Sequence, residues 1–417
     1  MSLRSDTQPN NVAHAWHYGA ILLLLAAGLV PLATPPVAAA QRGVLPGIDM
    51  WVRDGFAPLA GHRIGLITNV TGKDASGRGT AEILAAAPEL QLAALFTPEH
   101  SFFADQEGDI DGGVHAATGA PLFSLYGETR RPTAAMLDGL DALVFDIQDI
   151  GTRIYTYAST LAYCMEEAAA AGLPIVVLDR PNPIGGMAVS GPVLDEQHAS
   201  FVGYAAIPVR HGMTIGELAM YFNTEHEIGA DLTVVRAAGW RRDMWFDETG
   251  LEWTNPSPNI RNPEQALLYP ALGPLEWTSI SVGRGTDEPF EWFGAPWINS
   301  RELAAELNST NLPGLRVAGR KLTPSSSVHE GVESGGVYLE VTDRNVFDAG
   351  LTLATIAATL ERMYPVDWER SRLVPLWGDD AIDEQLDAGL SGAEIAASWT
   401  RALRAFAAVR ERHLLYD

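Results

Sequence analysis

Lysine is almost absent from this chain of 417 residues: Lys73 and Lys321 are the only two, so arginine carries nearly all the positive charge. Arginine grips carboxylates through a planar two-pronged fork, where lysine offers only a point charge. Positive charge is scarce altogether, with 28 Lys and Arg against 52 Asp and Glu and a formal net charge of -24. Such a chain repels the phosphates of nucleic acid and gains nothing from electrostatic docking on anionic membranes or cell-wall polymers. No nucleic-acid partner and no stable membrane partner are therefore expected, and any anionic substrate must be met by local arginines. Cysteine is reduced to Cys164. One cysteine inside a helical pattern makes no internal disulfide and is not placed for lipid attachment, so a buried structural thiol is expected.

Several motifs are missing as well. No Gly-x-Gly-x-x-Gly follows the first strand, and there is no Walker A loop, no His-Glu-x-x-His or other tight metal-ligand spacing, and no Gly-x-Ser-x-Gly elbow. Nucleotide-cofactor, NTPase, common zinc and serine-hydrolase chemistry are unsupported, which leaves acid/base work by carboxylates. The apolar stretch Tyr18 to Leu32 is short for a membrane span. It follows Arg4, His14 and His17 and leads to the small residues of Val37-Ala38-Ala39-Ala40-Gln41. This pattern predicts a signal peptide over residues 1–40, cleavage after Ala40, and a secreted or periplasmic protein without a lipid anchor.

What is present is an alternation of strands and helices that predicts an α/β fold with a mostly parallel sheet. The stretch Leu143 to Tyr157, LVFDIQDIGTRIYTY, shows the recurring unit. An apolar run ends in carboxylates, an amide, an arginine and two tyrosines, the pattern of a buried strand emptying into a βα loop where ligands bind. Other strand ends carry Asn69, Glu99 with His100, Asp179 with Arg180 and Asn182, and Arg210 with His211. One sheet edge should collect them with Asp146, Gln148 and Asp149, and Asn69, Glu99, Asp146, Asp179 and His211 are expected to line one cleft. Trp240 to Trp297 is rich in Trp, Pro and Gly with little periodicity. Its tryptophans suit either a carbohydrate cleft or packing against the sheet rim. From Arg301 a smaller unit follows, giving a catalytic domain over 41–300 and an auxiliary α/β domain over 301–417.

The segments TPEHSFF, VFDIQDIGTRIYTYASTL, VLDRPNPIGG, GPVLD, VRHGMTIGELAMYFN, NPSPN and GRGTDEPFEWFGAPW, with the closing HLLYD, resemble the NamZ-type exo-β-N-acetylmuramidases from about Trp51 to the end. The resemblance implies a Rossmann-like catalytic domain with a smaller auxiliary domain, and removal of terminal N-acetylmuramic acid from the non-reducing end of peptidoglycan fragments. It implies no cofactor. Glu99 matches the family's Pro-Glu-His acid. The second catalytic group is left open between Asp146, Asp149 or Asp179 and the substrate's own N-acetyl group, which one of these aspartates would orient. Asn69, His100, Gln148, Tyr155, Asn182, His211 and Asn259 are expected to bind substrate, with Arg153, Arg180 and Arg284 as receptors for the lactyl carboxylate. The chain departs from the family pattern at Ser101, Phe103, Ser190 and Val282.

Overall fold

The computed structural model describes residues 43–108 and 112–417; the segment expected to be a signal peptide lies outside them. The main sheet takes β1 (Arg63–Thr68), β2 (Gln91–Thr97), β3 (Gly113–Val114), β4 (Pro121–Ser124), β5 (Ala142–Asp146), β6 (Ile175–Leu178) and β9 (Leu232–Val235). A separate ribbon pairs β7 (Ser190–Val193) with β8 (Pro208–Arg210), and a third sheet holds β10 (Trp292–Ala295), β11 (Leu315–Leu322) and β12 (Ser334–Val341).

The main sheet runs β3-β4-β2-β1-β5-β6-β9, parallel except for β3, which is antiparallel to β4. Numbered among themselves, the parallel strands stand in the order 3-2-1-4-5-6, the doubly wound order that reverses between β1 and β5. The sequence explains why both faces are covered. Leu143 and Phe145 of β5 face one core cluster while Ala142 and Val144 face another, and all four are buried. A continuous apolar run of this kind belongs in a parallel sheet packed on both sides.

Some expectations are revised. Arg210 ends β8 and His211 follows it, and β8 pairs antiparallel with β7 outside the parallel sheet, so theirs is not a fifth end of that sheet. The unperiodic stretch after Trp240 contains the helix Pro263–Leu272, in which every residue from Gln265 to Leu272 is buried. A helix enclosed on all sides has no polar face to mark its period. The single helix expected from Ala393 to about Arg412 is two, Gly392–Ser398 and Thr400–Arg410. They meet at Trp399, whose amide tightens back onto the Ala396 carbonyl at 3.3 Å while its ring packs on Trp377.

The third sheet begins at Trp292, ahead of the boundary expected near Asn299, and its central strand β12 is flanked by β10 and β11. The last residues return to the main sheet: the Leu415 amide donates to Glu217 at 2.8 Å, the Tyr416 hydroxyl to Asp179 at 2.6 Å, and the Arg242 amide to the Asp417 carbonyl at 2.9 Å. The HLLYD ending is thus a clasp, and Gly43–Asp417 forms one compact unit.

Candidate active site

A cleft of about 470 Å³ opens beyond the carboxyl ends of β2, β4 and β5 and is closed by loops of the C-terminal half. That volume falls within the range of small-molecule sites, about 300–1,000 Å³. Glu99, two residues past β2, lines it, and its Oε2 accepts a hydrogen bond from the Thr156 hydroxyl at 2.6 Å. The backbone beyond it is unusual: His100, Ser101 and Ala104 all have positive φ, at 72°, 73° and 56°. Side chains rarely adopt this conformation without surrounding support. A glycine would fit position 101 without strain. Here Ser101 instead donates to Asp105 at 3.0 Å and accepts from the Phe103 amide at 3.2 Å, holding the turn by its side chain.

Two further glutamates line the cleft, and both are tied to Arg284. Arg284 donates to Glu276 through Nε and to Glu107 through Nη1 at 3.1 Å, and these carboxylates hold its guanidinium above its ordinary pKa despite burial. Tyr269 stacks edge-on against Phe290 at 4.6 Å and against Tyr155 at 5.8 Å, and burial pushes both tyrosine hydroxyls up. His100 donates from Nδ1 to the Gln106 carbonyl at 3.0 Å. Tyr126, Arg130, Phe201 and Trp277 complete much of the wall.

The structure therefore gathers Glu99, His100, Tyr155 and Arg284 of the sequence-derived candidates and leaves the others elsewhere. Asp146 is fully buried, with Arg180 Nε donating to Oδ1 at 2.5 Å and Nη2 to Oδ2 at 3.0 Å. This buried pair fills the reversal point of the sheet, where one partner without the other would cost about 3–5 kcal/mol. Arg180 and Gln148 border a smaller depression of about 140 Å³ with Lys73 and Trp253. Asp179 is fully buried beneath donors from Arg180, Thr214, Gly216 and Tyr416. Asn69 joins the Tyr157 hydroxyl to Thr71, and Asn182 fixes its own turn while donating to the Met213 carbonyl. Gly151, at φ 83°, leaves room for Asn182, whose Oδ1 would stand 2.5 Å from any added Cβ.

Arg153 is no carboxylate receptor. Its guanidinium is buried and donates to the carbonyls of Pro192, Ile207, Leu376 and Trp377 at 2.7–3.1 Å, bracing the loops around it. Burial lowers it to about 9, so it stays charged at neutral pH. His211 is buried, accepts the Met213 amide at Nδ1 and sits 3.6 Å from Asp149. Asp149 accepts the Gly151 amide with Oδ2 and keeps Oδ1 buried without a hydrogen-bond partner. Asn259 donates to Glu107 at 2.9 Å but lines a neighbouring polar groove of about 610 Å³. Among the tryptophans of the stretch Trp240 to Trp297, Trp277 lines the cleft, Trp253 borders the smaller depression and packs on Phe246, Trp240 packs on Tyr416 and Trp292 is core.

Residues 64–264 match the family model described as exo-beta-N-acetylmuramidase NamZ, N-terminal, and residues 267–416 match its C-terminal counterpart. The chain belongs to the NamZ family. It is 46% identical over 375 residues to the peptidoglycan beta-N-acetylmuramidase NamZ of Bacillus subtilis (strain 168), spanning 89% of this chain and 91% of that protein. Crystal structures of two DUF1343 family proteins from Bacteroides fragilis NCTC 9343 superpose with TM-scores of 0.84 and 0.73, at 35% and 28% identity; each alignment covers 90% of this chain and 99% of the other. In this NamZ-family chain, Val282 is buried, its carbonyl accepting from the Phe290 amide. Glu107, Glu276 and Arg130 escaped sequence reasoning because they lie on loops, beyond any apolar strand that would point to them. Arg284, on a quoted motif, was the signal that could have led to its two glutamates.

Among the described residues no group of three or more His, Cys, Asp or Glu side chains is gathered to hold a metal ion.

Proposed function

We propose that this chain is a glycosidase that releases terminal N-acetylmuramic acid from the non-reducing end of peptidoglycan fragments, with Glu99 as the general acid. One observation carries the choice of acid: of the three glutamates lining the cleft, Glu107 and Glu276 are paired with Arg284, while no arginine or lysine among the described residues pairs with Glu99. A carboxyl that must hold and deliver a proton is poorly served by a neighbouring guanidinium, which favours the ionised form. The Thr156 hydroxyl orients Glu99 without adding charge. Trp277, exposed in the same wall, offers a face for the apolar side of a sugar ring. Family membership and the name borne by the B. subtilis relative support the same substrate class.

For the second group, Asp146 and Asp179 are too enclosed by their partners to reach a sugar. Asp149 is buried as well and does not line the cleft, so the second role falls to the substrate's own N-acetyl group. Export belongs to the same reading, since peptidoglycan lies outside the cytoplasm and Tyr18 to Ala40 has the pattern of a cleaved signal.

The test is incubation of purified protein with a disaccharide ending in N-acetylmuramic acid at its non-reducing end. Release of free N-acetylmuramic acid, and none from the interior of longer chains, is expected. Saturable binding without any release would replace the glycosidase with a sugar-binding protein.

A further inference from the structure

Muramic acid differs from glucosamine by a lactyl ether on O3 that ends in a carboxylate, so a site selective for it needs a cation. The cleft is otherwise hostile to an anion, lined as it is by Glu99, Glu107 and Glu276 in a chain of net charge -24. The arginines that sequence alone suggested are all committed: Arg153 to four carbonyls, Arg180 to Asp146, and Arg284 to two glutamates. Arg131, next along the chain, is taken by Glu166 and Glu167 and lies over Tyr163. Arg130 is different. It lines the cleft and is exposed, and among the described residues no carboxylate pairs with it.

Its position is nevertheless defined. The guanidinium carbon lies 4.5 Å from the centre of the Phe201 ring and 5.5 Å from that of Tyr126, and Phe201 is itself buried. Stacking on an aromatic face holds the planar group while leaving its N–H edge available, the geometry for a two-pronged grip on a carboxylate. The fold also brings it close to the acid. Thr97 of β2 is in register with Ser124 of β4, so the loops carrying Glu99 and Arg130 leave adjacent parallel strands at the same level. Both side chains open on one cavity.

We propose that Arg130, stacked on Phe201 and Tyr126, is the receptor for the lactyl carboxylate and therefore the residue that makes the cleft selective for muramic acid. This rests on the muramidase reading. It places the sugar with its leaving oxygen toward Glu99 and its O3 substituent toward the β4 loop.

The experiment compares wild type, Arg130→Gln and Arg130→Lys on two β-glycosides, one of N-acetylmuramic acid and one of its lactyl carboxamide, alongside calorimetric binding of free N-acetylmuramic acid. Losing a charge-assisted bond should raise KM for the acid in Arg130→Gln by roughly 10- to 100-fold. Its loss on the carboxamide, which keeps only a neutral hydrogen bond to lose, should be much smaller than on the acid, Arg130→Lys should recover part of the loss on the acid, and free sugar should bind more weakly to Arg130→Gln. Equal losses on acid and carboxamide, or an unchanged KM for the acid, would overturn the assignment while leaving the muramidase intact. Wild type that neither cleaves nor binds the muramic compounds would overturn both. Since Arg130 is exposed and no carboxylate among the described residues pairs with it, an unchanged Tm is expected and excludes misfolding as the cause.

Discussion

Glu99, Asp146 and Asp179 look alike in the sequence, each a carboxylate just past an apolar strand, and the structure sets them apart by their partners. Asp146 faces Arg180, 34 positions away, and Asp179 faces Tyr416, 237 positions away. Spacing along a chain reveals where a carboxylate leaves the sheet, but not what meets it there. Glu99 was legible because motif and strand end coincided, and Arg153 misled because an arginine in a polar loop reads as exposed when it is a buried brace. If Glu99 delivers the proton, Glu99→Gln should lower turnover of a disaccharide by roughly 100- to 10,000-fold. The fall should be much smaller for an aryl glycoside whose phenolate leaves unprotonated. Equal losses on both substrates, with a lower Tm, would mark Glu99 as a structural member of its strained loop instead.

Among the elements, the parallel strands were readable as apolar runs and the helices with one solvent-facing side from their periods, whereas the enclosed helix Pro263–Leu272 and the two-residue strand β3 showed neither signal. The closing HLLYD belongs to a third class: it looks like a tail and acts as a clasp, with Tyr416 and the capping residue Thr214 both donating to Asp179. Burial pushes the Asp179 carboxyl from 3.8 to about 6 even though Tyr416 donates to it, and Glu217 adds repulsion. The folded protein thus holds this proton more tightly than the unfolded chain does. Below about pH 4 both states are protonated and nothing is lost. As pH rises to about 6 the unfolded chain gains by ionising, and stability falls by about 3 kcal/mol, a loss complete above the folded-state value. Asp179→Asn cannot titrate. Denaturant unfolding of both proteins from pH 4 to pH 7 should show wild type losing about that much stability relative to the variant, and a difference that stays flat across the window would contradict the account.

At the scale of the whole molecule, the mostly parallel α/β sheet was anticipated, but its strand order and the cleft's place in it were not. Such sheets commonly bind ligands where the strand order reverses. Here that point, between β1 and β5, is occupied by the Asp146–Arg180 pair and Thr80, and the cleft that holds Glu99 opens to one side, off β2 and β4 and under the loops of the C-terminal half. An acidic body surrounds this opening, so a substrate bearing a carboxylate approaches against the field before any arginine can hold it. Salt shortens the reach of that field from about 30 Å at 0.01 M to about 10 Å at 0.1 M, while a contact inside the cleft is screened far less. Across that range kcat/KM for an N-acetylmuramic acid glycoside should rise, roughly several-fold, as long-range repulsion fades. The lactyl carboxamide, being neutral, should show almost no change. Stopped-flow or initial-rate measurements on both substrates at fixed pH would decide it. A kcat/KM for the acid that falls with salt would mean that the arginines at the mouth outweigh the rest of the surface, and that the net charge of -24 does not govern approach.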